Sequence, residues 1–160
     1  MNFTYNDELH EYRIDGKIVP GVTEILTDTG WMDYSKIPEH IREFALQRGS
    51  YVHLACAMLV RDELDWSTVD EQILPYVRGY ERFLKDTGLK PLLVEKPMGS
   101  ERWGYGGTLD ILGEVRGKQW LVDIKSGMVM PLCQIQTAAY EELLPDEYKE
   151  IISRANSSDN

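Results

Sequence analysis

The sequence predicts one α/β or α+β domain with a mixed β-sheet, spanning residues 1–160. A chain of 160 residues fits one domain and is short for two. Hydrophobic residues make up 42% of the chain and charged residues 28%, which predicts a soluble protein with a packed core. A strand-like start, a helical middle and a strand-rich second half that ends in a helix are typical of this fold class.

Residues 1–22 are predicted to form a β-meander. Asp15-Gly16 is a typical two-residue hairpin turn, and Asn6-Asp7 marks an earlier turn. Thr23 suits the N-cap of a short helix that ends near Gly30. The expected strands cover residues 3–5, 10–14 and 17–19, and the expected helix covers residues 24–28.

Two longer helices are predicted next. Pro38 suits the first turn of one, and Gly49 is expected to interrupt and kink it. Residues 67–70 resemble a capping box, Pro75 restarts the helical pattern, and Gly88 is the expected C-cap. Apolar residues at helical spacing predict the buried faces: Ile41, Phe44, Ala45, Val52, Ala55 and Leu59, then Val77, Tyr80, Phe83 and Leu84.

Three strands are predicted after Pro91, over residues 92–97, 106–115 and 119–125. Arg116-Gly117 forms the turn between the last two strands. Pro131 opens a helix that extends to about residue 143. Residues 148–154 are expected to form a strand or a helical turn, and residues 155–160 a frayed tail.

Composition limits the location and the cofactors. Cys56 and Cys133 are too few for a four-thiolate zinc or iron–sulfur site, so free buried thiols in a reducing cytoplasm are expected. No apolar run approaches the ~20 residues that span a bilayer, and the polar N-terminus does not resemble a secretory signal. The net charge of −10 argues against nucleic-acid binding, although carboxylates that bind metal would contribute to it.

Asp110, Asp123 and Lys125 form the clearest chemical pattern. Side chains alternate between the faces of a strand, so Asp123 and Lys125 should point to the same side. The Arg116-Gly117 turn folds the strand of Asp110 against theirs, which would place two carboxylates beside a lysine. Carboxylates bind divalent ions that activate water, and lysine stabilises charge on a phosphate, so the set suits phosphodiester hydrolysis.

The same pattern has a simpler interpretation, an exposed strand face with one Asp–Lys pair. An Asp-x-Lys triplet alone arises often by chance. The segment GTLD at residues 107–110, at hairpin spacing before VDIK at residues 122–125, makes the pattern more specific.

The run GGTLDILGEV followed by LVDIKSG resembles the PD-(D/E)xK nucleases, in particular their RecB-type and phage-exonuclease branch. RGSYVH at residues 48–53 is similar to the helical R-G-x-x-V-H motif of that branch, and QTAAY at residues 136–140 to its Q-x-x-x-Y motif. The opening hairpin followed by VPGVT at residues 19–23 resembles the leader of phage members. The order and spacing of these motifs over about residues 5–143 support the resemblance.

The resemblance implies a restriction-endonuclease-like fold, in which helices flank a mixed central sheet behind an N-terminal hairpin. Asp110, Asp123 and the Ile124 backbone carbonyl would bind Mg²⁺ or Mn²⁺. His53 would reach the metal from its helix, and Lys125 would be the catalytic lysine. A structural role in the half-buried helix is the alternative for His53.

Other residues of these motifs are expected beside the site, each with a structural alternative. Glu95 matches a glutamate often found near this site, but an exposed strand position suits it equally. Gln136 and Tyr140 lie one helical turn apart and would support the site or contact DNA, or else only pack the helix on the sheet. Gln134 is an alternative to Gln136. Arg48 would bind a phosphate or pair with a neighbouring glutamate.

Two aromatic residues near the proposed metal-binding strand offer a further contact with DNA. Tyr105 and Trp103 would stack on bases, and packing in the core or a loop is the alternative.

The sequence therefore predicts a metal-dependent DNA nuclease, an exonuclease of phage or prophage origin that acts in DNA processing or recombination in the host cytoplasm. DNA is the expected partner, with a recombination protein or further copies of the chain. The alternatives are a nuclease-fold subunit with little turnover, which binds DNA or assists assembly, and an unrelated α+β interaction protein. The chain departs from helicase-linked and CRISPR-associated members, which use four cysteines for an iron–sulfur cluster. It also ends soon after Tyr140, where many relatives add strands and helices.

Overall fold

The computed structural model describes residues 1–31, 35–127 and 131–149. Within these ranges the chain forms two three-stranded antiparallel sheets, five α-helices and one 3-10 helix, which confirms an α+β architecture. The predicted mixed sheet is wrong for this part of the chain. Short hairpins join successive strands and impose antiparallel pairing, and parallel pairing is limited to an isolated bridge between Gly21 and Gly106.

The N-terminal meander is confirmed. Asp15 and Gly16 both have positive φ, 48° and 79°, as a tight hairpin turn requires. The meander lies against the second sheet where Gly106 contacts the ring of Tyr12. This contact requires a glycine, because a Cβ at residue 106 would collide with the ring. Its strands are β1 (Phe3–Asn6), β2 (Glu11–Ile14) and β3 (Lys17–Val19).

Helix α1 (Val22–Asp28) begins earlier than predicted, and its N-cap is Gly21 rather than Thr23. The Gly21 N–H donates to Oε2 of Glu24 at 3.2 Å, so a side chain inside the first turn satisfies this backbone donor. Thr23 is therefore free of a capping role and lies beside Gln136, with 3.4 Å between Thr23 Oγ1 and Gln136 Nε2.

Helix α2 (Glu39–Val60) continues through Gly49, so the predicted interruption there is wrong. Its two halves differ in burial. Val52 and Ala55 are buried as predicted, whereas Ile41 and Phe44 are 49% and 47% exposed. Residues 39–47 are exposed throughout, because the neighbouring elements cover the helix only from about residue 48 onwards.

The segment between α2 and the next helix differs from the predicted capping box at residues 67–70. A 3-10 helix (Trp66–Thr68) forms instead, and Asp65 caps it by accepting a hydrogen bond from Ser67 N–H at 2.9 Å. Helix α3 (Leu74–Thr87) then begins beside Pro75 and ends at Gly88, whose φ of 65° confirms the predicted C-cap.

The second sheet has the order β4–β5–β6. The sequence had predicted that Asp123 and Lys125 lie in the last strand. That strand ends at Val122, so both residues follow it instead. The predicted helix after Pro131 is confirmed, and one further turn follows it. Residues 150–160, where the rest of the tail was predicted, lie outside the described ranges. The elements are β4 (Lys90–Ser100), β5 (Tyr105–Val115), β6 (Lys118–Val122), α4 (Leu132–Leu143) and α5 (Asp146–Lys149).

Two apolar clusters hold the second sheet between helices. One contains residues of α1, α4 and the sheet, including Leu109, and the other contains residues of α2, α3 and the sheet, including Ile111. Leu109 and Ile111 are two residues apart in β5, so strict alternation would place them in the same cluster. The sheet is therefore irregular between them, at Asp110.

Candidate metal and catalytic site

Three side chains from three different elements meet at Asp110. His53 comes from α2, Glu95 from β4 and Asp110 from β5, and one ligand atom of each lies within 4.8 Å of the others. His53 Nδ1 is 3.3 Å from Asp110 Oδ1 and 3.4 Å from Glu95 Oε1. Asp110 is only 7% exposed and is the one charged residue among the buried residues of the described ranges.

Glu95 and Asp110 share a face of the sheet because they lie opposite each other in antiparallel strands. Val94 pairs with Ile111 and Lys96 with Leu109, so Glu95 lies across from Asp110. Glu95 has a φ of 46°, in the left-handed region that non-glycine residues rarely adopt. Backbone strain of this kind concentrates at functional sites, where the surrounding structure enforces it.

The three ligand atoms fit a divalent metal ion. Neighbouring ligands of an octahedral ion with bonds of ~2.1 Å lie roughly 3 Å apart. The separations of 3.3 and 3.4 Å around His53 Nδ1 are close to that value. One imidazole and two carboxylates suit Mn²⁺ and also, through their oxygens, Mg²⁺.

The electrostatics of the metal-free site depend on a proton on His53. Burial lowers the pKa of this imidazole, but hydrogen bonds to Asp110 and Glu95 and the charges of both carboxylates outweigh it and raise the pKa to about 10. His53 is therefore positively charged at neutral pH and balances the carboxylates. A metal ion bound at Nδ1 would have to displace this proton.

A second group of side chains surrounds Lys125. Its Nζ lies 2.8 Å from Asp123 Oδ2 and donates to Gln136 Oε1 at 2.9 Å. Gln136 in turn donates from Nε2 to the Tyr140 hydroxyl at 2.9 Å. The predicted proximity of Asp123 and Lys125 is confirmed, and Gln136 rather than Gln134 contacts the lysine.

The backbone joins the two groups. Ile124, the residue between Asp123 and Lys125, donates its N–H to Asp110 Oδ2. The same carboxylate contacts His53, so it connects the two groups. The sequence predicted that the backbone carbonyl of Ile124 binds the metal ion. The contact in the structure is made by the N–H of the same residue, and it goes to Asp110. Burial, followed by the charge of Asp110, raises the pKa of the Asp123 carboxyl.

Arg48 contacts the backbone just beyond Lys125. Its Nη2 donates to the Ser126 carbonyl at 2.9 Å, and its guanidinium lies 5.7 Å from the Phe44 ring and 5.4 Å from the Tyr76 ring. The contact between Arg48 and Ser126 could not be predicted from the sequence, because local patterns do not show which residues 78 positions apart meet in the fold.

The remaining candidates have different surroundings. The Tyr105 hydroxyl donates to the Ala139 carbonyl at 2.9 Å and its ring packs against the core, so its alternative as a packing residue is confirmed. Trp103 is 54% exposed beneath the Arg102 guanidinium. Cys56 is buried as predicted, whereas Cys133 is half-buried, and both are free thiols.

No protein-family model and no curated protein matches this sequence. The helices within the described ranges are all too short or too polar to traverse a membrane.

Proposed function

We propose that the protein is a metal-dependent deoxyribonuclease that hydrolyses phosphodiester bonds at the site around Asp110. The main supporting observation is the convergence of His53, Glu95 and Asp110 within 4.8 Å, with the Lys125 ammonium held in the adjoining group. A ligand set beside a fixed cation suits a reaction in which negative charge builds up on a phosphate. The resemblance to PD-(D/E)xK nucleases motivates the choice of DNA as the substrate.

In this proposal, His53, Glu95 and Asp110 would hold a divalent ion. When bound, such an ion lowers the pKa of its water and offsets the negative charge of the phosphate. Asp123, whose pKa is raised in part by the charge of Asp110, would act as a further ligand or as the partner that orients Lys125.

Lys125 would contact the phosphate. Asp123 and Gln136 fix the direction of its ammonium group by two contacts of 2.8 and 2.9 Å. A donor fixed before the reaction stabilises developing charge without reorganising in the transition state. Tyr140, through its contact with Gln136, would position this donor from the buried side of α4.

Incubation of end-labelled linear DNA and closed circular DNA with Mn²⁺, Mg²⁺, Ca²⁺ or excess chelator tests this function. We expect cleavage with Mn²⁺ or Mg²⁺ and none with chelator or Ca²⁺, because the larger Ca²⁺ activates water less well. Digestion of the linear form alone would identify an exonuclease. Absence of cleavage together with Mn²⁺ binding would favour a DNA-binding or assembly subunit, and full activity in chelator would refute the metal mechanism.

A further inference from the structure

A cleft of about 400 Å³ lies between the first half of α2 and the segment that precedes α3. We propose that this cleft binds one unpaired base of the DNA strand beside the cleaved phosphate. The inference rests on the proposed nuclease function and names its substrate class, single-stranded DNA or a frayed end. The side chains that matter here are Phe44, Gln47, Arg48, Tyr51, Asp70 and Gln72.

The cleft is connected directly to the lysine side of the site. Arg48 lines the cleft, and its Nη2 donates to the carbonyl of Ser126, the residue that follows Lys125. Arg48 and His53 also lie on the same helix, five positions apart, which is about 7.5 Å along its axis, and their side chains leave it in different directions. A strand whose phosphate meets Lys125 would therefore pass the mouth of the cleft with a neighbouring nucleotide.

Aromatic rings line the cleft and are open to solvent. Tyr51 is 53% exposed and Phe44 is 47% exposed, and the two lie seven residues apart, on one face of α2. Aromatic side chains that stack on successive bases are a common means of binding single strands without sequence preference. The sequence had placed Phe44, but not Tyr51, on a buried helix face, and the exposure of both rings is explained if they contact a ligand.

The charges of the cleft favour a base over a phosphate. Arg48 and Asp70 balance each other, and Gln47 and Gln72 add amide groups that can both donate and accept. A carboxylate would repel a phosphate, whereas base edges present donors and acceptors that match Asp, Gln and Arg. Within the described residues, Arg48 Nε is buried and makes no hydrogen bond, so the guanidinium beside the cleft is incompletely satisfied.

Cleavage kinetics on single-stranded oligonucleotides, each with one abasic site, test the inference. We expect KM to rise on the order of tenfold when the abasic site lies at one fixed distance from the cut, and to stay constant elsewhere. Tyr51→Ala should raise KM for the intact strand similarly, without a further rise on the sensitive abasic strand. Tyr51→Phe should restore the parent value. Leu46→Ala is the matched control, since Leu46 is also exposed on α2 and lies outside the cleft.

A binding measurement separates failure of this inference from failure of the nuclease function. A single strand containing the fluorescent base 2-aminopurine is titrated with the protein in Ca²⁺, which should support binding without cleavage. If the parent protein quenches the 2-aminopurine fluorescence and Tyr51→Ala does not, the result supports base binding in the cleft, even if the parent protein cuts no DNA. Equal quenching by both proteins, or by neither, overturns the inference while leaving any observed cleavage intact. A change in oligomeric state on Tyr51→Ala, with unchanged quenching, would instead assign the cleft to contact between copies.

Discussion

The two sides of the candidate site are built differently. On the metal side, His53, Glu95 and Asp110 come from α2, β4 and β5, which pack together around a buried apolar cluster. On the lysine side, Asp123 and Lys125 lie in the irregular segment after β6, and a chain of hydrogen bonds through Gln136 ties that segment to α4.

This difference separates two tasks. In the proposed function, the metal side would provide ligand atoms from three elements that pack together, so its loss should remove metal binding and rate together. The lysine side provides one directed positive charge and, apart from Asp123, no metal ligand, so its loss should reduce the rate alone. Substitutions on each side test whether this division holds.

The largest effect is expected for Asp110→Asn. Asp110 contacts His53 and Ile124 at once, so removal of its charge affects both sides. We expect Mn²⁺ binding to fall below detection by calorimetry and cleavage to fall on the order of 10³-fold or more. The amide oxygen can still accept from Ile124 N–H, but loss of the ion pair with His53 should lower the melting temperature. Retained metal affinity would place the metal elsewhere.

Lys125→Ala should reduce the cleavage rate by about 10²–10³-fold while Mn²⁺ affinity stays near the parent value. The side chain offers a donor and a positive charge but no metal ligand. Single-turnover cleavage and calorimetry on the same preparation measure the two quantities. A parallel loss of metal binding would show that the two sides are not separable.

His53 should make Mn²⁺ affinity depend on pH. Because the pKa of its imidazole is raised to about 10, a proton must leave before Nδ1 can bind. The Mn²⁺ affinity of the parent protein should therefore rise by up to about tenfold per pH unit between about pH 6.5 and 8.5. An ordinary histidine, with a pKa of about 6.5, would give little change in affinity over that pH range. His53→Ala should bind Mn²⁺ more weakly, with a flatter dependence on pH. An unchanged slope would exclude His53 as the titrating ligand.

A smaller effect is expected for Gln136→Ala. Loss of one hydrogen bond to the Lys125 ammonium should reduce the rate by roughly tenfold, without a change in metal affinity. Gln134→Ala is the matched control, because Gln134 lies on the same helix and is exposed. Equal rates for the two variants would contradict a positioning role for Gln136.

A further effect concerns the stability of the fold in the absence of metal. The folded-state pKa of His53, about 10, is above the unfolded value near 6.5, so its stabilising effect is complete below about pH 6.5 and is lost as pH rises towards 10. In chelator, the free energy of unfolding should decrease between about pH 7 and 9.5, and His53→Ala should flatten that decrease. Urea titrations across this range measure the slope, and an identical slope in both proteins would contradict the ion pairs.

Local patterns in the sequence determined most elements of the fold. The Asp15-Gly16 and Arg116-Gly117 turns, the Gly88 C-cap and the helix after Pro131 all depend on the conformational preferences of a few adjacent residues. The proximity of Asp123 and Lys125 was predicted from alternation within a strand, but it occurs in the segment that follows β6. Two of the wrong predictions, the Thr23 N-cap and the capping box at residues 67–70, concern short segments in which a neighbouring residue supplied the cap.

Tertiary structure decided what converges on the site and what remains exposed. Glu95 faces His53 and Asp110 across a strained step in β4, and no alternating pattern encodes a positive φ at a glutamate. Helical spacing placed Ile41 and Phe44 on a buried face, but spacing identifies only which residues share a face. Whether another element covers that face depends on contacts between distant segments, which local sequence does not specify.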